Sequence, residues 1–462
     1  LILGLGQFPQ GSGVTAALLF ARLGAKVTVT DLKTRKELLA NVKQLSPFKN
    51  VKFVLGKHDL EDVKKAEIVV ANQRVRQSSR EILLARKLRI PVVTEMSLFL
   101  DRCPCQVIGV TGTRGKSTTA SLIAHILKAS GRRTWLGGNI LVSPLTFLSK
   151  MKKSDVCVLE LSSFQTESSA GVRVPHIAVV TNLMRDHLNA YGSMEEYAEA
   201  KAQIFRHQTA RDVVILNADD AYGRAWSKEA PGEVLRFGTS KDADASLIAG
   251  KIVLRQGRRR ISVLSVSRIP LLGSHNVSNA LAAALACRTA GVSITNIRRG
   301  IASFRPLPNR LEPIRTVRGV LYVNDTCATT PDGTIAAIEA LVDRKSHHHL
   351  WVIVGGADKD LIYDQFARVA ATYHPHIHVI LMPGDASKKI RESLKRTRVH
   401  IHDADDMKEA VYIASKHAMR GDAAVLSPGA ASFNQFANEF ERGEMFKKCI
   451  KALKRESLSS IK

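Results

Sequence analysis

Few local patterns restrict a chain as strongly as the apolar run 107–110 followed at once by Gly112-Thr113-Arg114-Gly115-Lys116-Ser117. The run reads as a buried strand. Leu122, Ile123, Ile126 and Leu127 recur on one face of the helix that should follow, and Gly131 sits where that helix would stop. A strand that turns through glycines into a helix makes a cradle for phosphate. Consecutive N–H groups close around the anion, Lys116 brings a point charge, Ser117 offers a hydroxyl to Mg2+, and the helix adds its positive end. The spacing is a shorter variant, because the general GxxxxGK[ST] pattern would want glycine at Val110.

The same construction recurs along the chain. Apolar runs at 156–159, 177–180 and 213–216 end in Glu160, Thr181-Asn182 and Asn217. Runs at 320–323, 350–354 and 423–426 end in Asn324-Asp325, Gly355-Gly356 and Ser427-Pro428-Gly429. Continuous apolar strands separated by helical patterns imply an α/β chain with parallel sheets covered on both faces. Polar and glycine residues at the carboxyl ends of such strands are where open α/β sheets bind ligands.

A chain of 462 residues exceeds one core, and length alone suggests about three domains. Breaks fall between Pro91 and Pro104 and at Arg305-Pro306-Leu307-Pro308, which places expected domains at 1–95, 96–306 and 307–462. The first opens with Gly4-Leu5-Gly6 after a strand, and a second strand ends in Asp31. That imitates a dinucleotide fold, but the third glycine of GxGxxG falls on Pro9, so a Rossmann-like module for another nucleotide is expected.

Composition narrows the partners. With 45% hydrophobic and 24% charged residues and no apolar run long enough to cross a bilayer, a soluble protein without membrane insertion is expected. Six thinly spread cysteines fit a reduced, cytoplasmic setting. The excess of 68 Lys+Arg over 42 Asp+Glu, a net charge of +26, favours anions of any kind. Aromatic residues are only 5% and the basic residues are scattered apart from Arg258-Arg259-Arg260, so a solvated basic surface is expected rather than a nucleic-acid site, with an anionic substrate as its functional version.

Four further residues carry chemistry. Glu160, at the end of a buried strand beside the cradle, reads either as a Mg2+ ligand or as the cap of the next helix. Asp186-His187 follows another strand end. In the expected helix 193–207, Met194, Tyr197, Ala198, Ile204 and Phe205 form the apolar stripe, and Lys201 falls in its middle. A buried ammonium has a lowered pKa, and a neutral amine can take up carbon dioxide as a carbamate, an anionic metal ligand. The alternative is a snorkelling or salt-bridged lysine.

These motifs, with Leu159-Glu160-Leu161-Ser162-Ser163-Phe164-Gln165 and Gly273-Ser274-His275-Asn276-Val277-Ser278-Asn279, together resemble the Mur ligases over essentially the whole chain. The D-glutamate-adding members of that family are nearest. The resemblance implies an N-terminal Rossmann-like domain for a uridine nucleotide, a central P-loop ATPase-like domain with a parallel sheet, and a C-terminal Rossmann-like domain that brings an amino acid. It implies ATP, two Mg2+ ions and a carbamate on Lys201. The ATP contacts it implies are Gly112, Thr113, Arg114, Gly115, Lys116, Ser117, Thr118, Asn276, Asn279, Arg310 and Asp325. Ser117, Glu160, His187 and Lys201 would hold metal, and Lys116, His187 and Lys201 would be catalytic.

Asp31, Lys33, Asn139, Ser162 and Gln165 match positions facing UDP-N-acetylmuramoyl-L-alanine, while Thr329, Lys359 and Ser432 match positions facing D-glutamate. The implied activity is ATP-dependent amide formation through an acyl phosphate in peptidoglycan precursor synthesis, by a monomer. Two alternatives remain: a Mur-type or folylpolyglutamate-synthase-like ligase with another acceptor, and a non-catalytic basic nucleotide- or RNA-binding protein. Arg114, Asn309 and Cys327 stand where the family usually has Asn, His and Lys.

Overall fold

The structure, a computed structural model, describes residues 1–453 except 141, 170, 172–173, 187–189, 343–347 and 434. Its strands form three sheets, each interleaved with helices. The first has five strands, all parallel, in the order Val51–Leu55, Val27–Asp31, Ile2–Leu3, Val69–Ala71, Val92–Thr94. Chain order reverses beside Ile2–Leu3, so the crevice of this sheet opens at the turn that follows Leu3. Gly4 (φ 89°) and Gly6 (φ 75°) make that turn. Helix Ser12–Arg22 packs so closely on it that a Cβ at Gly13 would lie 2.3 Å from the Gly4 carbonyl.

The second sheet has nine strands, and Gln106–Thr111 lies between Val156–Glu160 and Ile177–Val180, parallel to both. Ile108, Val110 and Leu159 are fully buried. Each such side chain contributes about 1.5–3 kcal/mol by leaving water, which fixes the strand ends where the cradle begins.

Not every strand is parallel, contrary to the pattern of apolar runs. Ala245–Ile248, Lys251–Gln256 and Arg259–Ser265 extend the second sheet as antiparallel hairpins. Their first turn is the two-residue loop Ala249-Gly250, with φ positive at both, the twist that antiparallel hairpins favour.

The third sheet runs Glu312–Val317, Val320–Asn324, Ala423–Leu426, Leu350–Val354, Ile377–Leu381, His400–Asp403. It is parallel except for the first hairpin, which turns through Arg318-Gly319. The chain forms two compact units. Residues 1–268 and 278–304, with the first two sheets, make one; residues 269–277 and 305–462, with the third sheet, make the other.

Candidate functional site

At the carboxyl end of Gln106–Thr111 the chain turns through Gly112 (φ 141°) and Gly115 (φ 79°) into helix Lys116–Ala129. A Cβ at Gly112 would sit 2.0 Å from Thr181 Oγ1, and one at Gly115 2.2 Å from Asn279 Oδ1. Both positions therefore need glycine for space as well as for φ. The helix has no side-chain cap and no acidic residue in its first turn, which leaves its positive end facing the cradle.

The loop after Ile177–Val180 holds the cradle in shape. Thr113 N donates to Asn182 O at 2.9 Å and Arg114 N to Asn182 Oδ1 at 2.9 Å. Thr181 Oγ1 donates to the Arg114 carbonyl at 2.6 Å. Sequence reading marked Thr181-Asn182 only as a strand end. Thr119 reaches Asn279 Oδ1 at 3.2 Å, so Asn279 is brought to the cradle within the first unit. Lys116 Nζ, half-buried with Ser117 and Thr118, curls back onto the Thr113 carbonyl at 2.9 Å.

Glu160 ends the neighbouring strand, 2% exposed. Asn139 grips it twice, its N–H donating to the Glu160 carbonyl at 2.8 Å and its side-chain amide to Oε1 at 2.9 Å. Oε2 is buried and has no hydrogen-bond partner among the described residues. A buried carboxylate oxygen without a protein donor is open to a cation, so the residues fit Mg2+. Glu160 does not cap the next helix. Ser162 caps Ser163–Glu167, accepting from Gln165 N at 3.3 Å, while Gln165 Oε1 accepts from Ser162 N at 3.0 Å. Ser162 and Gln165 thus shape this helix end, with Gln165 buried.

Helix Met194–Arg206 turns Lys201 inward, 2% exposed, and the side chain does not snorkel. Its Nζ donates to the Gly112 carbonyl at 2.9 Å, lies 4.7 Å from the Tyr197 ring centroid and forms no ion pair with a described residue. Burial first, then the Lys116 charge, pushes its pKa down to about 6, against the opposing pull of Asp186 and Glu160. The amine is therefore largely neutral at pH 7, the state that carbamate formation requires. His187 lies outside the described residues.

In the first sheet, Asp31 is buried at the end of Val27–Asp31, where it accepts from Gly6 N at 3.0 Å and Lys33 N at 2.9 Å. The carboxylate fastens the glycine turn to the next strand end, and Lys33 is half-buried beside it.

The second unit holds Asn276, Arg310, Asp325, Thr329, Lys359 and Ser432. Asn276 is buried, its side-chain amide donating to Leu272 O at 2.7 Å. Asp325 is buried and accepts from Leu311 N and Ser427 Oγ, both at 3.0 Å. Arg310 and Lys359 are exposed, Thr329 is half-buried and Ser432 is buried.

Ser432 lines a cavity of about 10 Å³ with Gly356 and Arg442, room for one water. Arg442 escaped the sequence reading. It is buried and bonded to no carboxylate among the described residues, donating to Thr326 O and Oγ1 at 3.0 Å and to Ala430 O at 3.1 Å. It thus ties the segment leading to Thr329 to the segment leading to Ser432. Burial lowers its pKa to about 10. Cys327 is half-buried, its thiol pKa raised by burial, so this position presents a neutral group.

Two family models match the chain: the Mur ligase middle domain over residues 110–287 and the Mur ligase glutamate ligase domain over residues 309–430. A UDP-N-acetylmuramoylalanine–D-glutamate ligase of Roseiflexus is 38% identical, covering 98% of each chain. One of Symbiobacterium thermophilum is 36% identical over 93% of each. Among solved structures, the UDP-N-acetylmuramate-alanine ligase of Thermotoga maritima matches with TM-score 0.62 at 21% identity, covering 98% of this chain and 99% of its own.

Proposed function

This chain belongs to the Mur ligase family, and from that membership we infer an ATP-dependent ligase that adds D-glutamate to UDP-N-acetylmuramoyl-L-alanine in peptidoglycan precursor synthesis. The observation that supports the reading best is one juxtaposition. An uncapped, glycine-walled cradle with Lys116 at its mouth adjoins a buried Glu160 with an orphaned oxygen and an inward Lys201 that is largely neutral at pH 7.

A carboxylate is a poor acyl donor because its leaving group would be oxide. Transfer of the γ-phosphoryl of ATP to the alanyl carboxylate makes an acyl phosphate and ADP. The amine of D-glutamate then attacks the acyl carbon, loses a proton, and expels inorganic phosphate to leave an amide. Little of this needs a covalent step on the protein, so catalysis comes from positioning and neutralisation of charge. Lys116 and the helix N-terminus stabilise the transferring phosphoryl, and Gly112, Thr113, Arg114, Gly115 and Thr118 shape its cradle. Asn276, Asn279, Arg310 and Asp325 would contact ATP, at the positions the family resemblance implies.

Ser117, Glu160, His187 and a carbamate on Lys201 would hold two Mg2+, which when bound offset phosphate charge. Asp31 and Lys33 would meet the uridine diphosphate, Asn139, Ser162 and Gln165 the muramoyl-alanine end, and Thr329, Lys359 and Ser432 the D-glutamate. In this reading the chain works as a cytoplasmic monomer of three domains, at 1–95, 96–306 and 307–462.

An ADP-release assay tests it. Turnover with UDP-N-acetylmuramoyl-L-alanine and D-glutamate is expected, with L-glutamate, L-alanine and diaminopimelate far slower. ADP release that depends on another amino acid would reject the acceptor, and none with any would reject the ligase.

A further inference from the structure

Glu95 lies outside every role assigned above, yet it is one of the chain's most buried carboxyl groups, 5% exposed. It begins helix Glu95–Arg102, which follows the first sheet's last strand in chain order and precedes Gln106–Thr111 of the second. Its Oε1 accepts from Ser143 Oγ, and Ser143 Oγ in turn lies 2.8 Å from Thr15 Oγ1. Ser143 and Thr15 are also buried, and the three residues come from segments 48 and 128 positions apart. Such a network in a dry interior is strong only when its members remain paired, so it fixes the segments it joins.

The joined segments lead to two different places. Thr15 belongs to helix Ser12–Arg22, packed against the Gly4 to Gly13 turn and so against the Gly6 that Asp31 holds. Ser143 follows a loop closed by Gly138 N donating to Val142 O at 2.8 Å. Inside that loop, Asn139 grips Glu160 through its backbone and its side chain. The loop is therefore anchored at one end to Glu160 and at the other to the N-terminal sheet's first helix.

We propose that Glu95 is a positioning residue which, through Ser143 and Thr15, sets the loop carrying Asn139 against the N-terminal module, so that the nucleotide-sugar end and the Glu160 end of the site are held in register. This rests on the ligase reading given above. Burial pushes the Glu95 pKa up to about 7, with the Ser143 hydrogen bond opposing, so a neutral side chain that keeps the acceptor can replace it.

Steady-state kinetics and melting of the full chain test the role with Glu95→Ala, Glu95→Gln and Ser143→Ala. Glu95→Ala and Ser143→Ala are expected to raise KM for UDP-N-acetylmuramoyl-L-alanine about tenfold, with KM for D-glutamate held within about twofold. Glu95→Gln, which keeps the acceptor, should stay within about twofold of the parent on every constant. Ser143→Ala, a smaller perturbation, serves if Glu95→Ala does not fold. Unmoved constants in Glu95→Ala, equal rises in the KM of every substrate, or a Glu95→Gln as impaired as Glu95→Ala would overturn the role. Parent turnover separates the two readings. Its absence overturns both, whereas an active parent with unmoved constants in Glu95→Ala overturns the positioning role alone.

Discussion

Lys201 Nζ donates to the carbonyl of Gly112 at 2.9 Å, so the one inward lysine of helix Met194–Arg206 touches the first residue of the phosphate cradle. Its neutral amine, beside Glu160 and Asp186 in the field of Lys116, is placed to become an anion by taking up carbon dioxide. Lys201→Ala is expected to lower kcat by about 10²-fold or more, the scale of losing one preorganised charge. Short carboxylic acids added to that variant should restore part of the rate. A rate near that of the parent, or no rescue while the fold is intact, would count against the carbamate.

Glu160→Gln separates function from stability. The substitution removes the charge whose Oε2 has no partner among the described residues and keeps an oxygen for Asn139. Turnover should fall by about 10²–10³-fold. Melting without added Mg2+ should hold or rise, because an uncompensated buried carboxylate costs stability. Lower melting with retained turnover would assign Glu160 a structural role instead.

Gly138→Ala tests how closely the loop around Asn139 is built. A Cβ there would lie 2.1 Å from the Glu160 backbone oxygen, at φ 99°. Backbone must move, so a destabilisation of about 2–3 kcal/mol is expected, read from denaturant melts, together with loss of turnover. A neutral change would mean that the loop and strand separate freely.

Acid should weaken the second unit through a stack of histidines. His378 stacks on Trp351 at 4.1 Å between ring centroids, and its Nε2 lies 3.1 Å from His349 Nδ1. Burial, then His349, His400 and His402, pushes its pKa down to about 4, with Asp422 opposing. His402, facing His417, His400 and Asp403, is lowered in the same way. A base whose pKa is depressed by folding binds protons more readily when unfolded. Stability from His378 is therefore full above about 6.5, the ordinary histidine value, and is lost as pH falls towards about 4. His378→Gln should melt closer to the parent at pH 5 than at pH 7.5, by about 2–4 °C for each kcal/mol recovered. Parallel melting profiles would show that the stack does not titrate.

The cradle was legible because strand, glycines, Lys116 and helix are contiguous, and Lys201 because one helical stripe exposes an intruder. Of the two readings of Glu160, a neighbour rules out the helix cap. Ser162 supplies the cap, leaving the carboxylate without that task. Long-range partners left no local signal. Asn182 clasps Thr113 and Arg114 from 68 or more residues away, and Thr15 reaches Ser143 across 128. Arg442 sits in the charged segment Glu439–Ala452, where nothing in the pattern distinguishes it from solvent-facing neighbours. The antiparallel hairpin at Ala249-Gly250 lacks the usual Asn-Gly signal, so the pattern of apolar runs marked no strand there.

Transfer of oxygen-18 from the carboxylate of labelled UDP-N-acetylmuramoyl-L-alanine tests most directly whether this site activates that group with ATP. An acyl phosphate requires one labelled oxygen to leave in inorganic phosphate with each amide formed, and Lys116→Ala should abolish both products. Amide formed with unlabelled phosphate would contradict the mechanism, because the phosphoryl group would then never have been joined to the carboxyl oxygen.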